Sequence, residues 1–301
     1  MSVDVNSSAR HDLSHISFQG KTPPRRRSSA ARGICGPLLA AVPHDPEQGL
    51  DDFIAWALGR AGLDAAAYRP QPLRRRLPAC LRAMKVHSTH AARQLLERKP
   101  CLVATVVSSL LIGVTEFFRE PGVFDDLRAQ VLPALAGRNQ PLRVWSAACS
   151  TGAELYSMAI LLSEAGLLEG SCLLGTDCRG DAIERAKLGS YDATALKLVG
   201  GATRETYFEP AGPAWRPVAA LRRHARWKVA DLLAGVEEGP WDIIFWRNTA
   251  IYLKPGPAEA IWRRLASVLA PRGVLIAGKA DRPPSDAGLR SVARCVYGID
   301  W

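Results

Sequence analysis

Residues 144–157, Val-Trp-Ser-Ala-Ala-Cys-Ser-Thr-Gly-Ala-Glu-Leu-Tyr-Ser, constrain the fold more than any other stretch, because an apolar run passes straight into a turn of small residues. Residues 142–145 have the length and character of a buried parallel strand, and residues 158–162 continue a helix that packs beside it. Between them Ala147, Ala148, Ser150 and Gly152 carry little or no side chain, so a ligand can approach the main chain, and Gly152 tolerates positive φ. Glu154 falls in the first turn of the helix. A carboxylate there disfavours an anionic ligand and suits one bearing an ammonium or sulfonium. An ordinary strand-to-helix turn capped by Glu154 is the alternative. The GxGxxG dinucleotide pattern is absent from this turn, which argues against NAD.

Further strands place polar residues at the same edge. Residues 172–177, Cys-Leu-Leu-Gly-Thr-Asp, are apolar and end in Asp177, about 25 residues after the turn, where α/β cofactor folds put an acid on ribose hydroxyls. Asp177 could instead cap a helix over residues 181–187. Residues 241–246 form another apolar strand that runs into Arg247-Asn-Thr-Ala-Ile-Tyr252. A helix over residues 257–269 and a strand over 273–278 complete an alternation that predicts a mostly parallel sheet with its ligand at the strand carboxyl ends.

Four segments, Thr115-Glu-Phe-Phe-Arg-Glu-Pro121, Trp145 to Ser157, Gly175-Thr-Asp177 and Ile244-Phe-Trp-Arg-Asn-Thr-Ala-Ile-Tyr252, resemble the CheR chemotaxis receptor methyltransferases in order and spacing, over roughly residues 50–297. The resemblance implies a Rossmann-like α/β domain that uses S-adenosylmethionine, releases S-adenosylhomocysteine, needs no metal and methylates glutamate side chains of chemoreceptors to methyl esters. It places Thr115 and Arg119 near the methionine end of the cofactor, with Glu154 close by and Asp177 on the ribose. Asp231 and Leu232 match a pair beside the adenine, while Trp246, Arg247 and Asn248 line the same pocket. Gly113 belongs to that cofactor wall too. Arg119 and Tyr252 look like the pair nearest the transferred methyl group.

Several positions depart from the family pattern. Gly113 replaces an Asn, Ala148 a Gly, Ala153 the first of two glutamates and Asp231 an Asn, and the late Gly-His-Ser-Glu signature reads Gly278-Lys-Ala-Asp281. The chain therefore resembles a divergent member. Two alternatives follow: a non-catalytic regulator that senses cofactor or docks a receptor, and a methyltransferase acting on another substrate.

Composition agrees with this architecture. The 301 residues, 48% hydrophobic, suffice for a large core. The cysteines at 35, 80, 101, 149, 172, 178 and 295 show no metal-ligand spacing, which suits reduced thiols and a cytoplasmic location. No apolar run reaches the roughly 18 residues that would span a membrane. Residues 1–48 read as a basic, disordered extension rich in Ser, Arg and Pro. Residues 49–114 read as a small helical domain with apolar stripes at Phe53, Ile54, Ala57 and Leu58, at Leu73, Leu77 and Leu81, and at Val103, Val106, Val107 and Leu110. Pro78 should kink its helix or restart it.

That segment carries Arg74, Arg75, Arg76 and Arg82. The resemblance implies that it docks the acidic cytoplasmic domain of a receptor. A solvated face is the plainer reading, and nucleic acid, which a net charge of +10 also suits, ranks behind both. Residues 115–301 form the expected methyltransferase domain. Within it, residues 191–229 form a short antiparallel β-subdomain whose extended pieces lie at 207–209, 215–218 and 225–229.

Overall fold

The computed structural model describes residues 46–111, 115–137 and 140–301. The N-terminal extension lies outside them except for residues 46–48, which open the first helix, and so does Gly113.

Helix α1 (Pro46–Arg60) buries Phe53, Ile54, Ala57 and Leu58, the three-and-four spacing of a single helix face. Helices α2 (Pro70–Arg74) and α3 (Leu77–Ala83) each carry proline in the first two positions, where the missing N–H has no intrahelical partner to lose. Pro78 thus restarts the chain as a new helix. Helix α4 (Thr89–Arg98) begins where the Ser88 hydroxyl accepts the Ala91 N–H at 3.1 Å, and α5 (Val103–Leu110) buries Val103, Val106, Val107 and Leu110. Arg74 is clasped by Asp51, whose Oδ1 lies 2.6 Å from its Nε, and by Glu47. This pairing holds the Asp51 carboxyl below the usual range.

Beyond α6 (Pro121–Asp126), a π-type turn (Leu127–Val131) and α7 (Leu132–Ala136), strands and helices alternate. They run β1 (Arg143–Ala147), α8 (Ala153–Glu164), β2 (Cys172–Asp177), α9 (Gly180–Leu188), α10 (Gly201–Tyr207), β3 (Phe208–Ala211), β4 (Ala214–Pro217), α11 (Ala219–Arg222) and β5 (Ala225–Val229). Then come β6 (Trp241–Trp246), α12 (Pro255–Ser267), β7 (Leu269–Ala277), β8 (Arg290–Ala293) and β9 (Val296–Gly298). Seven strands form one sheet in the order β5-β2-β1-β6-β7-β9-β8, parallel from β5 to β7 and antiparallel through β9 and β8. This is the Rossmann-like α/β sheet expected. From β1 the chain builds outward first through β2 and later through β6, so the strand order reverses between β1 and β6. A crevice opens at such a point, above the carboxyl ends of the strands.

Strand alternation sorts the side chains onto two faces. Ile243 and Phe245 pack with α8, whereas Ile244 and Trp246 face α12 and share a core with α1–α5. Main-chain bonds stitch the helical segment to the sheet edge: Arg69 N–H donates to the Tyr252 carbonyl and Lys254 N–H to that of Ala67, each at 2.8 Å.

One expected element lies elsewhere. Residues 225–229 do not join the antiparallel subdomain but pair in parallel with β2, placing Trp227 opposite Gly175. Among the described residues, β3 and β4 alone form a separate hairpin. The alternation of Ala225-Arg-Trp-Lys-Val229 fits any half-buried strand and does not say which sheet receives it. What places the strand is the indole of Trp227, which fills the space left by missing side chains at Gly152 and Gly175; a Cβ on either glycine would overlap the ring. Gly175→Ala should therefore destabilise the protein by roughly 1–3 kcal/mol through overpacking. Urea denaturation measures this, and an unchanged midpoint would remove the wedge role of Trp227.

Candidate active site

A cavity of about 210 Å³ lies at the carboxyl ends of β1, β2 and β6, closed on one side by the loop before α2. Its walls bring together Thr115, Arg119, Glu154, Asp177, Asp231, Leu232, Arg247, Asn248 and Tyr252 from segments far apart in sequence.

The segment carrying Thr115 and Arg119 is anchored by the aromatic pair between them. Phe117 is buried edge-on against Tyr191 at 4.8 Å and Phe208 at 4.9 Å, and Phe118 N–H donates to the Ser157 hydroxyl at 2.9 Å. With Phe117 held in the core, its polar neighbours are turned toward the cavity.

Arg247 organises the floor. Its side chain is only 2% exposed and pairs with Glu154 Oε2 at 3.1 Å and Glu120 Oε2 at 3.2 Å. It donates to the Arg119 carbonyl at 2.7 Å and lies over the Phe124 ring at 5.6 Å. The other oxygen of Glu154 accepts the Ser146 hydroxyl at 2.8 Å, so Glu154 is held at both ends and does not serve as a simple helix cap. Asn248 follows in the left-handed region at φ 57°, a conformation asparagine adopts more readily than most residues. The Asp281 carboxylate holds that turn through the main-chain N–H groups of Asn248 at 2.8 Å and Gly278 at 3.1 Å. Burial pushes the Asp281 carboxyl above its ordinary range, while these two bonds oppose the rise. Gly278 is required at this approach, because a Cβ would meet both Asn248 and Asp281.

The turn after β1 winds tightly, with Ala148, Ser150 and Gly152 at φ 64°, 53° and 89°. Cys149 N–H donates to the Thr176 carbonyl and Ser150 N–H to Asp177 Oδ2, both at 2.8 Å, which drapes the turn over the end of β2. Burial, aided by Asp177 and Glu154, drives the Cys149 thiol well above its usual range, so it is a protonated packing group. Asp177 is also gripped by Arg179, with Oδ1 2.9 Å from Nε. Asp231 accepts the Leu233 N–H at 2.9 Å through Oδ1.

Trp246 is a correction: it does not line the cavity. Strand alternation turns it to the opposite face, where it is fully buried and meets Trp262 edge-on at 4.9 Å. Gly113 lies outside the described residues. The cavity also includes Tyr68, Arg76, Cys178 and Arg179, none of which sequence reasoning assigned to it. Tyr68 is held there by main-chain bonds on either side of it, Arg69 N–H to the Tyr252 carbonyl and Lys254 N–H to that of Ala67, while Arg76 arrives from the turn after α2. Burial, then the proximity of Cys178 and Asp231, pushes the Tyr68 hydroxyl up. Among the described residues no group of His, Cys, Asp and Glu could hold a metal ion, and no helix is long and apolar enough to cross a membrane.

The sequence profile of the CheR methyltransferase SAM-binding domain matches residues 113–297. The chain belongs to the CheR methyltransferase family. A chemotaxis protein methyltransferase of Listeria monocytogenes is 30% identical to it, over 78% of this chain and 91% of the relative. Chemotaxis protein methyltransferase Cher2 of Pseudomonas putida is 33% identical, over 64% of this chain and 74% of its own. The cofactor of a CheR domain is S-adenosylmethionine, and the residues present fit it: carboxylates of Glu154, Asp177 and Asp231 share the wall with apolar Ala148, Leu232 and Ile251 and with small residues of the turn after β1.

Two outcomes follow for this CheR site. Arg247→Met leaves Glu120 and Glu154 without their partner and should cost about 3–5 kcal/mol of stability, read by chemical denaturation; a loss below about 1 kcal/mol would mean that solvent replaces the guanidinium. Ala148→Gly relieves a left-handed alanine and should raise stability by about 0.5–1 kcal/mol after the entropy of the unfolded glycine is counted. A lowered melting temperature would contradict that.

Proposed function

We propose that this chain methylates glutamate side chains of chemoreceptors in the cytoplasm, a reading that goes beyond the name chemotaxis protein methyltransferase carried by its relatives. The observation that carries this reading is the meeting of Arg119 and Tyr252, well over a hundred residues apart in sequence, on one cavity wall beside the Glu154–Arg247 pair.

The chemistry asks little of an acid or base. A glutamate side chain, with a reference pKa of about 4.3, is already ionised at neutral pH, so no group must remove a proton from it. Placement is the main demand, with nucleophile and methyl held about 3–3.5 Å apart and in line. Arg119 presents a planar fork to the incoming carboxylate and orients it. Tyr252, 8% exposed, lines the same cavity, where its hydroxyl would orient donor or acceptor. When bound, S-adenosylmethionine supplies an electrophilic sulfonium methyl and departs as S-adenosylhomocysteine.

Thr115, Glu154, Asp177, Asp231, Leu232, Arg247 and Asn248 would hold that cofactor, Asp177 at the ribose and Asp231 with Leu232 at the adenine. Asp231 retains an acceptor for the exocyclic amine where the family has asparagine. The receptor's acidic face would meet Arg75, Arg76 and Arg82, which form no ion pair with other described residues, whereas Arg74 is engaged by Asp51 and Glu47.

Incubation with methyl-labelled S-adenosylmethionine and receptor-rich membranes should give base-labile label in the receptor. A base-stable product, or none, would sink the glutamyl ester. Arg119→Ala should lower turnover by roughly 100-fold through lost orientation, and Asp177→Ala should chiefly raise the cofactor Kd; near-normal values for both would dismiss these assignments.

A further inference from the structure

The carboxylate at the end of β2 already has a side-chain occupant. Asp177 Oδ1 accepts from Arg179 N–H at 3.0 Å and Arg179 Nε at 2.9 Å, while Oδ2 accepts from Ser150 N–H at 2.8 Å and Arg179 Nη2 at 3.1 Å. Each carboxylate oxygen offers about two lone-pair positions, so none is left over. The pair is shielded from water, with side chains 10% and 4% exposed, and Arg179 Nη1 reaches on to the Leu111 carbonyl at 3.4 Å. Both Arg179 and Leu111 form part of the cavity wall. Two of the four bonds to Asp177 come from main chain and belong to the turn. The other two come from a guanidinium fork, which meets one position on each oxygen.

We propose that Arg179 competes with the ribose of the cofactor for Asp177, so that the fork fills the two acceptor positions that a vicinal diol would take and must swing aside before the nucleoside seats. The inference rests on the cofactor reading given above and adds to it a residue that sets affinity. The displaced cation has somewhere to go. Asp181, two residues further along, already exerts its field on Arg179 and holds the Ser108 hydroxyl in a short hydrogen bond at the start of α9. The cost of exchanging a charge-assisted fork for two neutral hydroxyl donors is charged against cofactor binding. It leaves the sulfonium end of the site untouched.

Calorimetric titration of the full chain with S-adenosylhomocysteine and with its 2′-deoxy counterpart tests this. Arg179→Ala should bind S-adenosylhomocysteine roughly tenfold more tightly than the unmodified protein, equivalent to about 1.4 kcal/mol, and should gain clearly less for the deoxy ligand, which lacks half the diol. Arg179→Lys covers the case in which the alanine variant does not fold. An ammonium cannot span both oxygens, so affinity for S-adenosylhomocysteine should again rise, by less. Equal or weaker binding in the folded variants, or the same gain for both ligands, overturns the competition. A failure of every folded form, the unmodified protein included, to bind S-adenosylhomocysteine would instead bring down the cofactor reading on which it stands.

Discussion

The site depends on one buried cation. Arg247 leaves β6 at the point where strand order reverses, and its guanidinium ties three separate pieces of chain: Glu154 from the first turn of α8, Glu120 and the Arg119 carbonyl from the segment before α6, and its own strand. A charge only 2% exposed is costly to desolvate, and two carboxylates with a carbonyl offset that cost only while all remain in place. The arrangement specifies geometry more than it adds stability. It fixes the Arg119 main chain and the Glu154 carboxylate about one guanidinium.

Main-chain strain surrounds that cation. Left-handed residues occur at Phe118, Glu120, Ala148, Ser150 and Asn248, all within the segments that line or support the cavity. Such conformations persist where surrounding bonds over-determine them, and those bonds are visible: Phe118 N–H to Ser157, Ser150 N–H to Asp177, Asn248 N–H to Asp281. Each reversal of the chain points amides or a side chain inward at the ends of the strands. The acids therefore hold turns while also lining the cavity, and the competition proposed at Asp177 would set one task against the other.

Much of this was legible in the residues. The buried strands, the positive φ at Gly152, the helical stripes and the restart at Pro78 follow from side-chain size, periodicity and proline geometry, which are local properties. Thr115, Arg119, Glu154, Asp177, Asp231, Leu232, Arg247, Asn248 and Tyr252, singled out by their motifs, line one cavity. Trp246 was misplaced because membership of a motif does not say which way a strand residue points, and its indole belongs to the core with Trp262. Residues 225–229 were given to the wrong sheet because alternation marks a strand without naming its partner.

The sequence by itself determined the elements, the order of the motifs and the kind of chemistry their residues can support, since these depend on composition and spacing along the chain. Tertiary structure decided which atoms those residues spend on one another. It brought Tyr68 to the cavity through main-chain bonds between the loop before α2 and residues 252–254, and it set the Arg179 fork on Asp177. Hydrogen-bond capacity is finite and is allotted in space, so a carboxylate at the right position in a motif reveals its availability only when its neighbours are seen.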